Sequence, residues 1–124
     1  MNATLQAQTA YGAQTGATRT QRAVEYDTFA RVTYRLKSAA ETLTSPSALA
    51  GAIHDNRRLW TILAADVADA ANPLPKELRA RIVYLAEFTR QHSGKVLRDG
   101  ADMAPLIEIN TAIMRGLSER KADG

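Results

Sequence analysis

The sequence predicts an all-α domain: a small antiparallel bundle of four principal helices, preceded by a flexible N-terminal arm. Three observations carry that expectation. A chain of 124 residues is long enough for one hydrophobic core but not for two. Hydrophobic residues make up 45% of the chain but aromatic residues only 6%, a balance that suits close-packed helices better than a β-sandwich. Finally, apolar residues recur at three- and four-residue steps in four separate stretches, whereas no run of four to eight residues alternates as a strand would.

Residues 1–18 are small and polar, with Leu5 and Tyr11 as the bulky apolar groups, too little to bury. They read as a flexible arm, with Tyr11 as the group that would anchor the arm to a partner. The helical domain is expected over residues 19–117, and residues 118–124 read as a charged, frayed tail.

The first helix is expected near residues 20–43, because Phe29, Val32, Leu36, Ala39, Ala40 and Leu43 fall on one face. Tyr34 points away from that stripe, among Arg31, Arg35 and Lys37, and should be exposed. Ser45-Pro46 supplies a cap and a proline at the first helical position for a second helix near 46–71. At 100° per residue, Leu49, Ala52, Ile53, Leu59, Trp60, Leu63 and Val67 share its inner face, with Arg57, Arg58, Thr61, Asp66 and Asp69 opposite. Asn56 sits in the middle of the apolar arc. An unpaired amide there would cost roughly 1–3 kcal/mol, so it requires a partner.

Asn72-Pro73-Leu74-Pro75 is expected to end the second helix, since each proline removes an N–H and restricts the residue before it. A third helix follows near 75–98, with Leu78, Ile82, Leu85, Ala86, Thr89 and Val96 inward and Gly100 suited to its C-terminal cap. Tyr84 and Phe88 lie one turn apart to one side of this stripe and form an aromatic shelf, a candidate docking surface that could equally pad a helix junction. Asp102 can cap a fourth helix near 103–117, with Leu106, Ile109, Ile113, Met114 and Leu117 inward and Asn110 mid-stripe. The expected core therefore holds Trp60, Leu63, Leu85, Ile109 and Ile113. Asn56 and Asn110 are expected to be buried and hydrogen-bonded, to each other or to backbone freed near a helix end.

Little in the chain points to catalysis. With no cysteine there is no thiolate nucleophile, no disulfide framework and no Cys-based zinc site. His54 and His92 lack an i, i+4 ligand partner, so neither a metal nor a cofactor is expected. His54 reads as a surface residue and His92 as a half-buried group at the core edge. No serine lies in a nucleophile elbow, no glycine-rich loop is suited to phosphate, and Asp66 with Asp69 reads as a solvated pair. An enzyme is not expected. No apolar run reaches the roughly 18 residues of a membrane span, and the first residues lack a signal-peptide pattern, so a soluble cytoplasmic protein is expected. The net charge of +3 is mild: residues 1–58 carry seven basic and four acidic groups, and residues 59–124 carry nine of each. That argues against a dedicated nucleic-acid binder.

Four stretches carry a resemblance: Ala10-Tyr11, EYDTFARVTYRLKSA (25–39), NRRLWTILAADVADAANPLPKELRARI (56–82) and PLIEINTAIMRGL (105–117). Through them the sequence resembles the FlaF family of flagellar biosynthesis regulators over nearly its whole length. The resemblance implies a non-enzymatic cytoplasmic factor that promotes flagellin production and secretion, acting alongside FlbT-type regulators that restrain flagellin translation. Flagellin's terminal segments are amphipathic helices, and a helix-in-groove contact would shield them before export. Tyr11, Tyr34, Tyr84 and Phe88 are the candidate partner-binding residues. An alternative from another class is an RNA-binding regulator of flagellin message, with Arg31, Arg35, Arg57 and Arg58 as phosphate contacts. A third is an oligomer whose exposed apolar face is a self-interface.

Overall fold

A computed structural model describes the backbone of residues 15–42 and 45–123, and the side chains of residues 26–41 and 45–116. Tyr11, Leu43 and the side chain of Leu117 lie outside the described residues. Four helices make up the fold: α1 (Thr15–Thr42), α2 (Pro46–Ala68), α3 (Lys76–Asp99) and α4 (Ala104–Asp123). Among the described residues there is no strand.

Helix ends follow local chemistry. Ser45 has an extended backbone, and its side-chain oxygen accepts a hydrogen bond from the Ala48 N–H at 3.0 Å, while Pro46 takes the first helical position. At the other end, α2 stops at Ala68, three residues before the expected Ala71, and the cause is not the prolines. The Ala71 N–H donates to Asp69 Oδ1 at 2.9 Å, the Asn72 N–H to the Asp69 carbonyl at 2.9 Å, and the Leu74 N–H to Asn72 Oδ1 at 3.0 Å. These side chains offer the backbone a turn that competes with further helix. Pro75 then precedes α3 as its cap residue instead of entering its first turn. Gly100 ends α3 in the left-handed region at φ 69°, with its N–H donating to the Val96 carbonyl at 3.2 Å. The Ala104 N–H donates to Asp102 Oδ1 at 2.8 Å at the start of α4. Two other boundaries differ from the sequence reading: α1 begins at Thr15 instead of near Thr20, and α4 runs on to Asp123 instead of ending near Leu117.

The helices pack in the order α3, α2, α1, α4, each in broad contact with the next, while α3 and α4 touch sparsely and close the ring loosely. Two apolar clusters fill the interior. Leu36, Ala52, Ile53, Val96, Met103 and Leu106 form one, at the end where α1 meets α2 and α3 meets α4. Phe29, Trp60, Val67 and Ile82 form the other, toward the turn between α2 and α3, with Trp60 and Phe29 in edge-to-face contact at 5.8 Å. Trp60 is fully buried as expected, but Leu63, Leu85, Ile109 and Ile113 are half-buried against this second cluster. The loose α3–α4 closure lies beside Leu85, Ile109 and Ile113, which accounts for their incomplete cover. Ala40, expected on the inward stripe, is exposed near the end of α1.

Candidate functional site

Between the two clusters lies a polar layer to which every helix contributes. Thr33 sits between Phe29 and Leu36, Asn56 between Ile53 and Trp60, Thr89 and Ser93 between Ile82 and Val96, and Asn110 between Leu106 and Ile113; all five are buried. The Trp60 indole can only donate, and its Nε1–H bonds Asn110 Oδ1 at 2.8 Å. This orients the Asn110 amide, whose Nδ2 donates to Asn56 Oδ1 at 2.8 Å. The chain Trp60–Asn110–Asn56 thus crosses the bundle from α2 to α4, two helices that do not adjoin. The two asparagines on the apolar arcs are each other's partners.

The layer is only partly satisfied. Asn56 Nδ2 and the hydroxyls of Thr33, Thr89 and Ser93 have no hydrogen-bond partner. Sequence reading placed Thr89 inward but missed Thr33 and Ser93. Their spacing carried the signal, since 29, 33, 36 and 89, 93, 96 continue the helical stripe through a hydroxyl.

The second feature is the seam between α3 and α4. Tyr84, Phe88 and His92 follow one another at four-residue steps along one edge of α3. His92 Nε2 lies 2.6 Å from the Asp102 carbonyl oxygen, so that nitrogen carries the proton and ties α3 to the connection leading into α4. Phe88 stacks on the His92 ring at 5.6 Å and 6° between planes. It is therefore held in place, and is 37% exposed, whereas Tyr84 is 68% exposed. Behind them, Leu78 and Leu85 of α3 and Ile109, Ile113 and Met114 of α4 are half-covered. The seam is an apolar strip with an aromatic rim, in which Phe88 is held against His92.

Tyr34 does not join this rim. It is 70% exposed and borders a different groove, between α1 and α2, with Arg35, Ser38, Gly51 and Asp55. Arg35 is already engaged there by Asp55 at 2.5 Å. His54 is exposed, as expected. Asp66 has its carboxyl pushed above the ordinary value of 3.8 by partial burial and then by the neighbouring Asp69 charge. Glu87 is held down to about 2, first by the Arg90 hydrogen bonds and then by Gln91. Both carboxylates sit on outer faces, where the chemistry available is solvation and ion pairing. Among the described residues no group of three His, Asp or Glu side chains is placed to hold a metal ion, and no described helix is long and apolar enough to cross a membrane.

Neither the curated proteins nor the solved structures include a match to this chain. A family model described as "Flagellar protein FlaF" matches residues 7–117, a span that takes in the polar layer, the α3–α4 seam and all of the bundle but the end of α4; the chain belongs to the FlaF family of flagellar proteins.

Proposed function

We propose that this protein is a cytoplasmic, non-enzymatic regulator of flagellum biogenesis that binds flagellin and shields a terminal helix of it before secretion. The observation that carries this reading is the α3–α4 seam: a half-covered apolar strip bounded by Tyr84 and Phe88 on a pair of helices that close only loosely. An amphipathic helix laid along such a strip covers its own apolar face and that of the seam at once. Export requires release, and the strip is narrow enough to favour moderate affinity over permanent burial. An FlbT-type regulator enters this reading as a second partner, through which the protein would act on flagellin synthesis.

RNA binding has less support. Three of its four arginines are divided between two grooves: Arg35, paired with Asp55, borders the α1–α2 groove, and Arg57 and Arg58 line the α2–α3 groove, while Arg31 lines neither. The test is co-purification of the full chain with flagellin carrying or lacking its C-terminal helical segment. Retention of the complete flagellin and loss of the truncated form is the expected result. Equal retention of both would overturn the reading.

A further inference from the structure

The α2–α3 face differs in character from the seam. Here the helices leave an open groove of about 430 Å³ whose apolar wall includes Ile53, Ile62 and Leu97 and whose polar wall includes His54, Arg57 and Arg58. Leu97 is 45% exposed, and so is Val83. At 100° per residue the same side of α3 also carries the paired Glu87 and Arg90, so its exposed apolar surface is local: Leu97 at the groove, and Val83 on the far side of that ion pair. Gly94, which is buried, brings a further cation to the same side of α3. A side chain there would meet the Arg98 guanidinium at 2.9 Å; with none present, Arg98 folds back flat over the helix surface.

Apart from Arg90, which is paired with Glu87, the guanidiniums of this face are unmatched. Arg57, Arg58 and Arg98 have no acidic partner among the described residues. Asp55 is turned to Arg35 of α1, Asp66 meets Asn72, and Glu87 is taken by Arg90. Aromatic platforms for stacking bases are absent from the groove, because Tyr34, Tyr84 and Phe88 all lie on other faces. An apolar groove wall flanked by guanidiniums without acidic partners complements a helix with apolar groups on one side and carboxylates beside them.

We propose that the α2–α3 groove is a second docking surface, for an acidic amphipathic helix of a protein partner, distinct from the seam assigned to flagellin. The test uses the full chain and three probes: a helical peptide of about five turns with a Leu stripe flanked by Glu, the same peptide with every Glu replaced by Lys, and a single-stranded RNA of mixed sequence. Fluorescence anisotropy should show binding of the Glu peptide alone. Arg57→Glu with Arg58→Glu should weaken that binding tenfold or more, and Tyr84→Ala with Phe88→Ala should leave it unchanged. Hydrogen exchange on the unsubstituted chain gives an independent reading that does not depend on the variant folding. Protection by the Glu peptide concentrated in residues 50–62 and 90–98 supports the proposal. Protection elsewhere, equal binding of the Lys peptide, or RNA binding abolished by the same arginine changes would each overturn it. Because the seam variant and the groove variant are read separately, failure here leaves the flagellin reading intact, and the reverse also holds.

Discussion

Asn110 shows how one residue can hold two helices in register. Its oxygen serves the donor-only indole of Trp60 and its nitrogen serves Asn56, so it cannot be removed without leaving both neighbours unpaired in the interior. Each buried group left unsatisfied costs about 1–3 kcal/mol, so Asn110→Ala should lower unfolding stability by about 3 kcal/mol or more. Asn56→Ala should cost about 2 kcal/mol less, because it also deletes the Asn56 Nδ2 that already lacks a partner. Urea unfolding of the two variants checks the order; equal losses would show that the chain of bonds does not run through Asn110. The unpartnered hydroxyls lead to a change of opposite sign. Thr89 is 1% exposed and its Oγ1 has no hydrogen bond, so Thr89→Val should raise stability by about 1 kcal/mol. A loss of stability in that variant would mean that the hydroxyl is bonded after all.

Among the elements, what was legible and what was not divide along physical lines. All four helices could be read from the apolar spacing, because burial of a stripe such as Phe29, Val32 and Leu36 imposes the 3.6-residue period directly on the sequence. The Ser45-Pro46 start and the Gly100 stop could be read because each answers a single backbone requirement. The end of α2 was misplaced because the prolines look decisive, while the actual stop comes from Asp69 and Asn72 side chains bonding backbone N–H groups. The half-exposure of Leu85 and Ile109 was not legible either: periodicity tells which face is apolar, not how closely the next helix covers it. Of the candidate site, the Tyr84–Phe88 edge was visible in sequence, but the stacking of Phe88 on His92 depends on a contact between α3 and the α3–α4 connection.

Asp66, on the last turn of α2, provides a pH test of that helix end. Its folded-state pKa is raised, so the folded protein holds this proton more tightly than the unfolded chain, and ionisation at neutral pH costs stability. Asp66→Asn removes that cost and the repulsion from Asp69. The variant should melt slightly higher at pH 7, and the difference should fade as pH drops through the raised pKa, vanishing once both states are protonated below the unfolded value of 3.8. Thermal melts of both proteins across that range check the sign. A difference that grows on acidification would contradict the burial and repulsion given as its causes.

For the whole molecule, the two ends of the bundle differ. The cluster around Leu36, Ile53 and Leu106 is ringed by half-covered Ala39, Leu49, Ala101 and Ile107, while the one around Trp60 has a wider half-covered ring that includes Leu59, Leu63, Leu78, Ile109 and Met114. The polar layer lies between them and keeps α2 and α4 in register. Exposed aromatic residues concentrate binding energy where partners dock, and Tyr84 with the stacked Phe88 is the exposed aromatic pair beside the seam on which the proposed function rests. The most direct measurement is therefore the affinity of the Tyr84→Ala, Phe88→Ala double variant for full-length flagellin, titrated beside the parent protein, with far-ultraviolet circular dichroism taken on both. Binding weakened tenfold or more, about 1.4 kcal/mol, with helical content preserved is the predicted result. A folded double variant that binds flagellin as tightly as the parent would contradict the assignment of the α3–α4 seam.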